Sequence, residues 1–238
     1  MDLQESKKLI NEAKSIYLIP VKSANLEGIV SALALFYTLK ESGKNVNILI
    51  DDMPEILNFL APSLDFITLP KNFVISIPKS IAEISQIYYE KNDEALKIHL
   101  AIEKGSVKKD NISFYFSETK PDLIITLGVK DYEIELKSKL DSFGFLLGSP
   151  ILNIDNTTEN KNFGKINIIE DRPLSAIIFN LAENITPKTA NCLLAGLIIY
   201  TDNFKNNVTA EIFETAGSLI KKGANLKEIT NNISKQNA

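Results

Sequence analysis

Apolar positions along this chain follow two rhythms, and the switches between them outline a fold. Residues 15–21 (SIYLIPV) form a continuous apolar run of buried-strand length, and residues 45–50 form another. Between them, Ile29, Val30, Leu33, Phe36 and Tyr37 fall at helical spacing over residues 27–41, and Gly43 suits the stop. Strand, helix, strand within about 35 residues is a βαβ unit and predicts a parallel sheet. A charged surface helix is predicted over 2–14. A shorter helix is predicted over 53–60, with Asp51 and Asp52 as its capping pair.

The middle of the chain changes rhythm. Residues 73–77, 84–89, 96–102 and 112–116 are short runs rich in β-branched and aromatic residues, with Asn92-Asp93-Glu94 as a turn between two of them. Leu96, Ile98, Leu100 and Ile102 alternate with Lys97, His99, Ala101 and Glu103, which sets His99 on the polar face of its strand. This reads as an antiparallel, β-rich insertion over residues 66–119. Buried strands resume at 122–127, 151–154 and 165–169, followed by helices over 174–182, 188–200, 209–222 and 226–234. The predicted architecture is one α/β domain over 1–238. It has a mostly parallel sheet flanked by helices, the β-rich antiparallel insertion, and a helical C-terminal part.

Ligands of open parallel sheets bind at the carboxyl ends of the strands. Three such ends are predicted, at residues 21–27, 128–131 and 155–160. Asn25 or Ser23 is expected to cap the helix that follows the first, and a helix N-terminus favours anions.

Composition narrows the chemistry. The 238 residues carry a net charge of −4, with one histidine (His99), one cysteine (Cys192), one arginine (Arg172) and no tryptophan. One cysteine makes neither an internal disulfide nor a thiolate zinc site. One histidine cannot build a multi-histidine metal centre, and one arginine argues against a bidentate nucleic-acid clamp. Nucleic-acid binding through net charge is not expected. The charged N-terminal residues do not resemble a secretory signal, and no run reaches the roughly 18 apolar residues of a membrane helix. A cytoplasmic protein is expected. His99 is expected to be solvated and Cys192 to be a small core residue.

Taken in order, several segments resemble the DHH-type phosphoesterases, the superfamily of RecJ-like exonucleases and nanoRNase/pAp phosphatases. VKSANLEGIVSALALFYTLKESGKNVNILIDD is similar to the first motif with its helix and second strand. PDLIITLGVKD resembles the second motif, and ILNIDNTTENKNFGKINII the segment around the DHH signature. NCLLAGLIIYTDNFKNNVT looks like the fourth motif, and AGSLIKKGANLKEI the helix after it. The resemblance covers most of the chain outside the insertion, and it implies an N-terminal DHH domain. The family's glycine- and histidine-containing substrate domain has no counterpart in this sequence.

The resemblance also implies a manganese-dependent hydrolase, and here the residues depart from it. The histidine and two aspartates after the first strand fall on Val21, Asn25 and Glu27. The aspartate of the second motif falls on Gly128, and the DHH triplet reads Asp155-Asn156-Thr157. The fourth-motif aspartate falls on Tyr200, two residues before Asp202. Only Glu27 and Asp155 remain as acids, too few to hold two cations and activate a bridging water.

Three functions are therefore weighed. The first is a catalytically inactive binding or scaffold protein, using the 66–119 insertion for self-association or for a protein partner, with no cofactor expected. The second is a divergent phosphoesterase for nucleotides or short oligonucleotides. It would hold one manganese or magnesium ion through Glu27, Asp155, Asp131 and Asp202. The third is a non-hydrolysing nucleotide-binding module, with the Asn25–Glu27 helix start and Arg172 on phosphate, although a structural salt bridge is the commoner role for such an arginine.

Overall fold

A computed structural model describes residues 3–21, 25–50, 53–62, 71–118, 120–142 and 148–233. Helix α1 (Leu3–Glu12) turns Ser6 and Ile10 inward and leads into strand β1 (Ser15–Pro20), buried at every residue. Helix α2 (Leu26–Glu41) follows, almost wholly buried, and then strand β2 (Asn45–Ile48) and a short 3-10 helix (Glu55–Leu60). Strands β3 (Lys71–Ser76), β4 (Ala82–Lys91), β5 (Leu96–Gly105) and β6 (Ser113–Glu118) form the insertion. Strand β7 (Leu123–Leu127) returns to the main sheet. A π-helical turn (Tyr132–Leu136) then runs into helix α3 (Lys137–Ser142). Strands β8 (Ile151–Asp155) and β9 (Ile166–Ile169) precede four helices: α4 (Leu174–Leu181), α5 (Pro187–Tyr200), α6 (Ala210–Lys221) and α7 (Leu226–Ile233).

The chain forms two compact units, residues 1–69 with 120–238, and residues 70–119. In the first, a five-stranded sheet runs β2-β1-β7-β8-β9, parallel throughout. Parallel strands need cover on both faces, which is why β1 and β7 read as unbroken apolar runs. Cover is unequal here. Helices α2, α4 and α5 pack on one face around Ile16, Leu18, Ile125, Leu127 and Leu152. The other face holds a smaller cluster of Tyr17, Ile19, Ile124, Val129, Leu136 and Leu140. Leu136 and Leu140 come from the π-helical turn and α3, a segment with no predicted helix. Asp131 starts it, its Oδ1 accepting from the N–H groups of Glu133 (2.9 Å) and Ile134 (3.3 Å).

In the second unit, β3 pairs with β6 and β4 pairs with β5, both antiparallel, as two separate two-stranded sheets. The expected turn at Asn92 is formed by its Oδ1, which accepts from the N–H groups of Glu94 (3.1 Å) and Ala95 (2.8 Å). No helix among the described residues is long and apolar enough to cross a membrane.

The order of the main sheet positions the candidate site. From β1 the chain moves outward to β2, then returns on the other side of β1 to β7. The carboxyl ends of β1 and β7 therefore flank a topological switch point, the usual ligand crevice of such sheets.

Candidate functional site

Val21 leaves β1 at this crevice, its N–H donating to the carbonyl of Leu127 (2.9 Å). Asn25 caps α2, with Oδ1 accepting from the Gly28 N–H at 3.1 Å, as its residue type predicts. The alternative cap, Ser23, and the pair Asp51-Asp52 lie outside the described residues. Gly128 follows β7 at φ +70°, a left-handed conformation that favours glycine. A Cβ there would meet Val21 Cγ1 at 3.3 Å, Asn25 Nδ2 at 3.4 Å and Leu174 Cδ1 at 3.4 Å. Val21, Asn25, Gly128 and Leu174 thus close on one point, and an aspartate in place of Gly128 would meet both backbone strain and occupied space.

Glu27 sits in the first turn of α2, 6% exposed, and its carboxylate serves a different helix. Oε1 accepts from the N–H of Leu174 at 2.6 Å, the first residue of α4. Oε2 accepts from Asn156 Nδ2 at 3.2 Å. Pro173 precedes α4 and offers no side-chain cap, so Glu27 supplies the acceptor that the first N–H of α4 would otherwise lack. Burial dominates its titration. It lifts the carboxyl to about pH 7, against the lowering effect of the Leu174 and Asn156 hydrogen bonds.

Asp155 ends β8 and is also buried. Its Oδ1 accepts from the Asn156 N–H at 2.8 Å, and its Oδ2 from Asn160 Nδ2 at 2.7 Å. Desolvation pushes its carboxyl up despite these bonds. Asn160 is the hub. Its Nδ2 also donates to the Val129 carbonyl (2.9 Å), while its Oδ1 accepts from Asn153 Nδ2 (2.9 Å) and the Asn162 N–H (2.8 Å). Asn153 accepts in turn from Thr126 Oγ1 at 2.8 Å across the β7–β8 register. Thr157 turns its Oγ1 to the N–H of Glu159 (3.3 Å), the turn chemistry expected after a strand.

Tyr200 closes α5 near Glu27. Its hydroxyl is held above the ordinary range by burial first and the Glu27 charge second. The next residues turn sharply, with Asp202, Asn203 and Phe204 at φ 46°, 61° and 60°. Thr201 stabilises the turn by donating to the Leu197 carbonyl (2.6 Å) and accepting from the Phe204 N–H (3.0 Å).

One expectation needs correction. Asp131 and Asp202 do not join Glu27 and Asp155 in a carboxylate cluster. Asp131 caps the π-helical turn, and Asp202 lies in the left-handed turn, accepting from Asn206 Nδ2 at 3.4 Å. Arg172 is a salt-bridge residue, with Nε 2.6 Å from Glu170 and NH1 2.7 Å from Glu211.

A dinuclear metal centre does not fit these residues. Among the described residues, no three or more His, Cys, Asp or Glu side chains form a group that could hold a metal ion. The two acids at the site each have both oxygens bonded to protein donors, and the neighbouring positions offer valine, glycine and amides, which are poor ligands for a hard cation. Sequence reasoning missed Leu174 and Asn160, whose parts depend on contacts far apart in the chain. The one local signal was Pro173, which starts a helix without a side chain to cap it.

No family model matches the chain, and no curated protein matches it. Among solved structures it is similar to an exopolyphosphatase-related protein from Bacteroides fragilis, at 18% identity and a TM-score of 0.67. The likeness covers 97% of this chain and 59% of that one, so the chain spans little more than half the length of its structural relative. At this distance the likeness is one of fold.

Proposed function

We propose that this chain is a DHH-type phosphoesterase-like protein that has lost its metal centre, does not hydrolyse phosphoesters, and works as a binding or scaffold protein. One observation carries the reading. Glu27 and Asp155, the only acids at the positions where the DHH resemblance puts metal ligands, have their oxygens taken by Leu174, Asn156 and Asn160. Glu27 has become a cap for α4, and Asp155 an anchor for the loop after β8. The fold shared with the exopolyphosphatase-related protein supports the superfamily assignment. The insertion over residues 66–119 is the interaction surface in this reading, and the protein needs no cofactor.

The test is turnover. Purified protein with manganese or magnesium is incubated with pAp, short oligonucleotides and a generic phosphodiester, beside Glu27→Ala and Asp155→Ala. No turnover above the two variants is expected. Robust hydrolysis that either substitution abolishes would replace this reading with a divergent metal-dependent phosphoesterase. Titration with mononucleotides in a calorimeter separates a scaffold, which gives no heat, from a nucleotide-binding module.

A further inference from the structure

We infer that β5 is a dimerisation strand, pairing antiparallel with β5 of a second copy of this chain about a two-fold axis at Leu100. This deepens the binding-protein reading by naming the partner.

Strand β5 is ten residues long and pairs only with β4 among the described residues. A two-stranded ribbon is marginal by itself, and a long apolar strand with a free edge invites another strand. The ribbon's apolar side chains remain open to solvent, with Ile87, Tyr89, Leu96 and Ile98 each at least half exposed. They gather on one face because Ile87 stands opposite Leu100, and Tyr89 opposite Ile98.

Charge decides both the partner and the register. On β5, His99 Nε2 lies 3.6 Å from Glu90, and Lys104 lies 3.8 Å from Glu83. Lys97 stands opposite Glu90 in the ladder, yet neither Lys97 nor Glu103 has an ion-pair partner among the described residues. A two-fold at Leu100 sets Lys97 of one copy against Glu103 of the other, and Glu103 against Lys97. The same register sets Ile98 against Ile102 and Leu100 against itself, so the apolar face continues across the axis from Ile98 to Ile102, and Leu96 meets Lys104 only at the two ends of the pairing. The contact is isologous and closes as a dimer. Opposed charges and opposed β-branched residues are both favourable cross-strand pairs. Strand β4 is less suited. Its register about Ile87, which would pair Glu83 with Lys91, sets Ile84 against Glu90 inside the pairing, whereas the β5 register confines its mismatch to the ends; the irregularity of the β4–β5 ladder is shared, skipping Ser85 on β4 and Glu103 on β5.

The test reads mass, not turnover, so its failure overturns this inference and leaves the absence of hydrolysis untouched. Sedimentation of the full chain at about 100 µM, where a micromolar dimer is saturated, should give a dimer. Lys97→Glu and Glu103→Lys should each weaken it by about tenfold or more, and the double variant should restore it. A monomeric wild type, single reversals without effect, or a double variant that stays weak would each overturn the inference. Crosslinking gives a second readout. Directly opposed antiparallel residues have Cα atoms about 4.5–5.5 Å apart, within disulfide reach, so Leu100→Cys should oxidise to a covalent dimer. Cys192 is buried and does not compete. Failure of Leu100→Cys to crosslink would count against a two-fold at that residue.

Discussion

The carboxyl end of the parallel sheet and the β4–β5 ribbon are opposites in how they treat their side chains. At the sheet end, every acid and amide in the chain from Thr126 through Asn153 and Asn160 to Asp155 bonds to another protein group. Glu27 is buried and capping α4. On the ribbon, apolar side chains lie open, with Ile87 at 70% exposure and Tyr89 at 72%, and Lys97 and Glu103 are among the charges with no ion-pair partner among the described residues. These opposite outcomes arise because burial follows from layers. The sheet has helices over both faces, whereas the ribbon is two strands wide. Glu27, Asp155, Asn153 and Asn160, bonded within the chain, have little left to give a ligand. The ribbon, with its open apolar side chains, has more to offer a partner.

The largest expected effect comes from opening the satisfied network. Asn160→Ala removes the partner of Asp155 Oδ2, the Val129 carbonyl, Asn153 Nδ2 and the Asn162 N–H in one step. Leaving several buried polar groups unpaired, one of them charged, should cost about 4 kcal/mol. Urea denaturation of variant and wild type measures it. A loss under about 1 kcal/mol would mean that water replaces these bonds readily and that the sheet end is not closed.

Glu27 gives the next largest effect, with a sign that depends on pH. Its carboxyl is raised from 4.5 to about 7 on folding. Across that window the folded protein holds a proton that the unfolded chain has released, so this contribution to stability is present below pH 4.5 and is lost as pH rises through 7. Glu27→Gln keeps an oxygen for the Leu174 N–H and abolishes the titration. The variant should match wild type near pH 4 and exceed it by about 3 kcal/mol at pH 8. Denaturation midpoints across that range check it, and a pH-independent difference would show that Glu27 is not titrating in this window.

Much of this contrast is legible in the sequence, for physical reasons. Residues 15–20 and 123–127 read as strands because burial on both faces demands unbroken apolar runs. The alternation at residues 96–102 likewise marks a ribbon with one apolar face. The turn and helix over residues 132–142 escaped, because Glu133, Glu135 and Lys137 mask the Leu136–Leu140 pair that packs on the sheet. The insertion's division into two ribbons escaped as well, since no local pattern states that β3 pairs with β6. At the site, the capping role of Asn25 followed from its residue type. Glu27 reads locally as a first-turn acid of its own helix, and only the approach of α4 makes it a cap for Leu174.

Arg172 gives a smaller effect that tests whether the satisfied region extends past the sheet end. It bridges Glu170 on the strand side and Glu211 in α6, with its own side chain 24% exposed. Arg172→Ala should lower stability by about 1 kcal/mol, as a partly exposed double ion pair does, with the loss shrinking in high salt. It should leave any affinity for inorganic phosphate unchanged. A drop in phosphate binding with unchanged stability would instead return Arg172 to the role of an anion contact.

The smallest effect is expected on the ribbon, and its smallness is the sharpest statement of the contrast. Ile98 is half exposed in β5, whereas Ile125 in β7 is fully buried beneath α2 and its neighbours. Ile98→Ser removes apolar surface that folding within one chain does not bury, so stability should change by no more than about 0.5 kcal/mol. The same substitution at Ile125 should cost at least about 3 kcal/mol, through a lost buried side chain and a hydroxyl without a partner. Denaturation is followed at low micromolar concentration, so that association contributes little. If Ile98→Ser proved as damaging there as Ile125→Ser, the ribbon's apolar face would be part of the folded core of the single chain. Its open side chains would then be no reserve for a partner strand.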